Sequence, residues 1–213
     1  MKQIFRNLIV VAAMALITIP SFGWGRRVHA AIAQIAEQHL TPSAKKTVDE
    51  ILEGKTMVYY ASWLDYYRAE MQITYTENGV VYPRNIPHSF KVDENCKVFA
   101  QDHQEALDII GECMDLLRNW EDEDPKMRLG AMQCIIHLVG DIHCPGHVKF
   151  PDGRAGDGLG QGKYNVTFFG KPTSMHTVWD SMVVDHFCHG SVEDLVTMVD
   201  RSTKKEIKER NDG

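Results

Sequence analysis

The sequence predicts a mainly α, single-domain, multi-helix fold with a short β-hairpin and a long glycine-rich loop. Three observations predict it. Apolar residues recur at helical spacing over most of the chain. Only residues 73–92 and 150–162 break that pattern at length. No repeat or low-complexity tract divides the 213 residues, a length that suits one domain with a real core.

The elements follow in order. Lys2 and Arg6 precede a short apolar run over residues 8–19, and Pro20, Ser21, Phe22 and Gly23 end it with small residues at Ser21 and Gly23. This reads as a secretory signal peptide over residues 1–23, cut after Gly23. The mature domain is then residues 24–213, expected to be secreted or periplasmic and a monomer. An uncleaved membrane anchor is the competing reading, but the run is short for a bilayer. No cysteine lies near the cut to carry a lipid, and no later segment is apolar enough to span a membrane.

Residues 26–39 place Val28, Ile32, Ile35 and Ala36 at helical spacing. Thr41 and Pro42 supply an N-cap and a first-turn proline for a helix running to about Glu53, before Gly54. Residues 58–70 form a third, aromatic-rich helix. Residues 101–120 carry apolar side chains at 106, 109, 110, 113, 114 and 117, an amphipathic helix. Pro125 starts a helix reaching Ile142, and the last two cover 177–187 and 192–209. Asn78-Gly79 between apolar runs signals a hairpin. Residues 150–162 form the glycine-rich loop, 164–169 a short strand, and 204–212 a charged tail.

Charge narrows the partners. The chain carries a net charge of −6, or −8 once Lys2 and Arg6 are removed. It therefore lacks the broad basic face of a typical nucleic-acid binder. Bound divalent cations would reverse the local field, so a phosphate-bearing substrate stays open. An exported chain could pair four of Cys96, Cys113, Cys134, Cys144 and Cys188 and leave one over. No CxxC occurs, which argues against a cysteine-based zinc site, and Cys134 sits in an apolar helical run as a buried thiol.

The most informative pattern is a set of nine spaced candidate ligands: Trp24, His29, Asp65, His88, His137, Asp141, His147, His176 and Asp180. His137 and Asp141, four apart on a helix, share one face, and His176 and Asp180 repeat the spacing. Imidazole and carboxylate ligate zinc, although a helical salt bridge is the commoner use of such a pair. Context changes the balance. Ile135, Ile136, Leu138 and Val139 make that helix apolar around its polar pair, and burying His and Asp there without a partner is costly. Gly140 and Pro145 end the helix and carry His147 back toward it, so Asp141 and His147 could serve neighbouring ions. His143 reads as a partner holding Asp141 or a loop backbone, or else as exposed. Trp63 and Trp179 read as packing residues and Arg68 as a structural or phosphate contact. Tyr59, Tyr60, Tyr66 and Tyr67 read as core or as base-stacking side chains.

With Trp24-Gly25, His29, the run Ala61-Ser62-Trp63-Leu64-Asp65, His88, residues 137–147 and Met175-His176-Thr177-Val178-Trp179-Asp180, the chain resembles the zinc-dependent single-strand nucleases of the S-one/P-one type. These lie within the superfamily of zinc phospholipases C. The match covers nearly the whole mature chain. The resemblance implies a phospholipase C/nuclease-like fold and three zinc ions. Asp65, His88, His137 and Asp141 would hold one. His29 with the backbone amine and carbonyl of Trp24 would hold a second, Asp141 bridging, and His147, His176 and Asp180 the third. A Trp24 amine can coordinate only once cleavage frees it. The resemblance further implies attack of a metal-activated hydroxide on phosphorus, with Asp65 as the catalytic residue orienting the water. Products would be 5′-phosphorylated nucleotides from single-stranded DNA or RNA.

The family's pattern is broken in three places. An aromatic usually follows the His88 position, where Ser89 and then Phe90 stand here. Gly-Gly-Asn is replaced by Gly160-Gln161-Gly162, and Gln-Pro-Leu-His by Cys144-Pro145-Gly146-His147. These departures lie around the expected substrate pocket. They keep two alternatives open: the same zinc chemistry on another phosphoester, such as a phospholipid or 3′-nucleotide, or a non-catalytic zinc-binding protein. The family's chains also run further past Asp180, which implies a shortened C-terminal end. Asn165-Val166-Thr167 is a glycosylation sequon of use only in a eukaryotic host.

Overall fold

The computed structural model describes residues 25–67, 73–77, 80–84, 86–98, 105–150, 157–158, 162–203 and 205–207. The expected signal peptide, Trp24, Arg68, the Asn78-Gly79 turn and most of the charged tail lie outside them. The described chain is mainly α.

Helix α1 (Arg26–His39) and α2 (Pro42–Ile51) match the expected start. Thr41 caps α2 by accepting from the Ala44 N–H at 3.2 Å, and Glu53 and Gly54 end it at φ +53° and +74°. The helix expected over 58–70 divides instead into α3 (Met57–Tyr60) and α4 (Trp63–Tyr67), separated by a turn at Ala61 and Ser62. That turn aims the Ala61 carbonyl inward, where a histidine uses it. Strands β1 (Ile73–Glu77) and β2 (Val80–Arg84) pair antiparallel, Glu77 opposite Val80, as the hairpin signal requires. Short β3 (Phe90–Lys91) pairs parallel with β4 (Val148–Lys149).

The amphipathic α5 (Ala106–Leu117) is shorter than the expected 101–120. A 3-10 turn follows at Trp120–Asp122. Helix α6 (Pro125–Ile142) is the spine. Asp124 caps it by accepting from the Lys126 N–H at 2.9 Å, and it touches each of α1 to α5. Leu138, Leu64 and Ile109 are fully buried along one side of it, each contributing about 1.5–3 kcal/mol by leaving water. Ile136 joins Ala33, Leu52, Tyr60 and Ala61 on another side. A third cluster seats Val28 and Ala31 of α1 against Leu195 and Val196.

Beyond α6, a 3-10 turn (Pro145–His147) leads into β4. The glycine-rich region contains a small pairing of β5 (Asp157–Gly158) with β6 (Gly162–Lys163). The strand expected at 164–169 is β7 (Asn165–Phe168). It pairs with β8 (Lys171–Ser174), a strand the sequence reading did not foresee. The next helical run begins two residues earlier than expected and is not uniform: α7 (Met175–Thr177), a π segment (Val178–Met182), then α8 (Val183–Phe187). Helix α9 (Val192–Val199) ends well short of 209, at an extended Asp200. No described helix is long and apolar enough to cross a membrane.

Candidate metal centre

Each ligand candidate is placed by a different local device. His29 projects from α1, Asp65 from α4, and His88 from the segment before β3. His137 and Asp141 share a face of α6. His147 ends the 3-10 turn, and the Ser174 side chain caps α7 by accepting from the Thr177 N–H at 3.1 Å, just where His176 begins its turn. Asp180 lies in the π segment, whose i→i+5 bond runs from the Val183 N–H to the Val178 carbonyl. Such segments widen a turn locally and often occur at functional sites.

Eight of the nine sequence-predicted ligands are described, and the fold brings all eight together; Trp24 lies outside the described residues. His29, His88, His137, Asp141, His147, His176 and Asp180 are buried, with Asp65 at the edge. Asp141 is the hub. Its Oδ1 is 3.3 Å from His29 Nε2 and 3.9 Å from His147 Nε2, while its Oδ2 is 2.8 Å from His88 Nδ1 and 3.1 Å from His137 Nε2. Asp65 Oδ1 reaches His137 Nε2 at 3.5 Å and His88 Nδ1 at 3.7 Å. Asp180 sits 3.4 Å from His147 Nε2 through Oδ1 and 3.0 Å from His176 Nε2 through Oδ2. The His29 and His137 rings stack at 4.3 Å.

Backbone carbonyls set the imidazole tautomers. His137 Nδ1–H donates to Ala61 O at 2.8 Å and His176 Nδ1–H to Gly146 O at 2.9 Å; His147 Nδ1–H donates to His88 O. In the neutral imidazole each of these bonds makes Nε2 the nitrogen without a proton, facing a carboxylate, the orientation metal-ligating histidines need. His88 turns Nδ1 inward instead.

The electrostatics are those of a charge-dense, dry site. Burial pushes His29 down, against the pull of Asp141. Burial also opposes charge on His137, but Asp141 and then Asp65 outweigh it and hold the imidazole up to about 10. Burial alone would raise Asp141; its histidines hold it well below the usual carboxylate range. Both ring nitrogens of His29, both oxygens of Asp141, Asp65 Oδ1, His147 Nε2 and Asp180 Oδ2 make no hydrogen bond among the described residues. Buried groups of this kind are expensive without a partner. Nitrogen and oxygen donors that converge without aligned hydrogen bonds fit a divalent cation. Three groups could each hold an ion: His29, His137 and Asp141; Asp65, His88 and His137; and Cys144, His147 and Asp180.

Other expectations divide. His143 is exposed, and its Nδ1–H bonds the Val139 carbonyl of its own helix at 2.7 Å, so it does not hold Asp141. Trp63 packs in the core, as read, while Trp179 is partly exposed. Tyr60 is core; Tyr59 and Tyr66 are exposed, with the Arg26 guanidinium 5.5 Å over the Tyr66 ring. Ser89 is buried, its carbonyl accepting from the Ala106 N–H at 3.1 Å. The five cysteines stand as thiols. Two residues take places that the sequence reading did not give them: Gly140, read as a helix end, lies inside α6, and Cys144, read as a departure from the family pattern, lies in the cluster. Gly140 lies against His29, and Cys144 reaches Asp180. Their only sequence signals were proximity: Gly140 beside Asp141, Cys144 three before His147.

Known proteins resemble this chain over most of its length. The chain is 25% identical over 198 residues to Nuclease S1 of Aspergillus oryzae, covering 87% of this chain and 63% of that protein. It is 22% identical over 189 residues to Endonuclease 2 of Arabidopsis thaliana, covering 84% and 62%. It is 25% identical over 167 residues to Nuclease P1 of Penicillium citrinum, covering 74% and 57%. The chain thus spans less than two thirds of the length of each of these relatives. The family model described as S1/P1 Nuclease matches residues 24–212, the stretch that contains every residue of the buried cluster, and the chain belongs to that family.

Proposed function

We propose that the chain is an exported zinc-dependent phosphodiesterase that hydrolyses single-stranded DNA and RNA to 5′-phosphorylated products, with three zinc ions held by Trp24, His29, Asp65, His88, His137, Asp141, His147, His176 and Asp180. The observation that carries this reading is Asp141, a fully buried carboxylate with two histidines at each of its sides. The family match and the nuclease names of its relatives support the reaction class.

Zinc, when bound, supplies Lewis acidity toward phosphate and lowers the pKa of water. The chain's own residues do the rest. Asp141 bridges the His29 side to the His88 and His137 side. The carbonyls of Ala61, His88 and Gly146 fix His137, His147 and His176 in one tautomer each. Asp65, at the edge of the cluster with Oδ1 unbonded among the described residues, orients the attacking water. The Gly25 N–H donates to Asp180 O at 2.5 Å, which anchors the chain directly after Trp24, whose freed amine would complete the His29 site. Exposed Tyr66, beside Asp65 and backed by Arg26, offers a stacking face for an unpaired base, worth about 1–3 kcal/mol.

Assays with matched metal content on single-stranded DNA, RNA, duplex DNA and phosphatidylcholine test the reading. Cleavage of the single strands, abolished by chelation and restored by zinc, is the expected result. Cleavage of lipid but not polynucleotide would overturn it, as would full metal content with no hydrolysis of any of them.

A further inference from the structure

Cys144 is fully buried at the entry to the 3-10 turn, and its Sγ lies 3.4 Å from Asp180 Oδ1. That sulfur, a His147 ring nitrogen and an Asp180 oxygen all lie within 4.8 Å of one another. On a tetrahedral zinc with bonds of about 2.0–2.3 Å, neighbouring donor atoms stand about 3.3–3.5 Å apart. His147 Nε2 and Asp180 Oδ1 are 3.4 Å apart, and Cys144 Sγ keeps the same spacing to the same oxygen. The sulfur thus keeps a ligand's spacing to Asp180 Oδ1 and lies within 4.8 Å of a His147 ring nitrogen. Independently, His147 Nε2 and Asp180 Oδ2 are buried and without a hydrogen bond among the described residues, and both belong to this group.

We propose that the Cys144 thiolate is a protein ligand of the ion held by His147, His176 and Asp180. The proposal rests on the reading that a divalent cation binds there. On coordination the Cys144 S–H bond breaks, its proton leaves to solvent, and the sulfur lone pair forms the bond to the metal. The Asp180 carboxylate and the Cys144 thiolate would together neutralise a divalent ion, with His147 as the imidazole beside them. Held in this way, the third ion would tie the turn at 145–147 to the π segment that carries Asp180. A sulfur donor also shifts the site toward softer metals.

A neutral thiol donating to Asp180 is the rival, and cobalt(II) separates the two. The whole mature protein is loaded with cobalt, counted by elemental analysis, and scanned in the near ultraviolet. The expected result is a thiolate-to-cobalt charge-transfer band that grows with the third equivalent, is lost in Cys144→Ser and is kept in Cys96→Ser. Zinc X-ray absorption on the unaltered protein needs no variant. It should find one sulfur at about 2.3 Å for every three zincs. A full cobalt complement without the band, a band that survives Cys144→Ser, or a zinc shell without sulfur overturns the proposal while leaving the metal reading intact. Failure to take up metal at all, or uptake unaffected by His147→Ala, overturns the metal reading and the proposal with it.

Discussion

Gly140 lies so close to the His29 imidazole that a Cβ built on it would stand 2.7 Å from His29 Nδ1 and 3.0 Å from Cε1. Glycine in a helix interior costs about 0.5–1 kcal/mol relative to alanine, so its presence in α6 beside Asp141 has a steric reason: the imidazole must reach Asp141 from α1. Gly140→Ala should displace His29, lower stability by about 1–3 kcal/mol through overpacking, and remove one metal equivalent. Thermal unfolding and metal analysis check both; full metal content with unchanged stability would show that His29 has room.

Gly111 is the counterexample in α5. A Cβ there meets nothing within 4 Å, and the position is exposed. Gly111→Ala should raise stability by about 0.5–1 kcal/mol and leave metal content unchanged. Denaturant titration reads the change, and a loss of stability would count against the placement of α5.

Asp141→Asn should have the largest effect on the centre. One oxygen faces His29 and His147, the other His88 and His137. Losing the charge weakens both neighbouring ions together, so metal content should fall from three to one. Loss of only one ion would show that Asp141 does not bridge.

Without metal, stability should fall as pH rises. His137 is held up to about 10, above its ordinary 6.5, by Asp141 and Asp65 acting against burial, and His147 is raised too. The folded protein then keeps a proton that the unfolded chain releases. The contribution is fully present below about pH 6.5 and is lost as pH climbs through about 10. The unfolding temperature of chelated protein should decline across that window. Zinc, which takes neutral imidazole, should flatten the slope. A flat profile in the chelated protein would contradict the charge balance of the cluster.

Extra residues before Trp24 should cost metal. If the freed amine is a ligand, a protein with two or three added residues binds fewer than three zincs and hydrolyses single strands at least tenfold more slowly. Full occupancy and full rate in such a protein would remove Trp24 from the site.

The sequence by itself determined the helices that carry the site and the candidate residues that the fold brings together. Thr41-Pro42 and Pro125 mark helix starts because capping and proline geometry are local, and His137 and Asp141 share a face because the helical period is local too. The tertiary structure alone decided the rest, because it depends on residues far apart in the chain. The break at Ala61 and Ser62, hidden in an apolar run, exists where the Ala61 carbonyl meets His137, 76 residues on. The π segment at Asp180 and the pairing of β7 with β8 left no periodic signal. Cys144 read as one more thiol until the fold set it beside Asp180, 36 residues away. Gly140 read as a helix end until α1 laid His29 across it. Local spacing and a family resemblance named the candidates, and long-range packing decided which of them stand together.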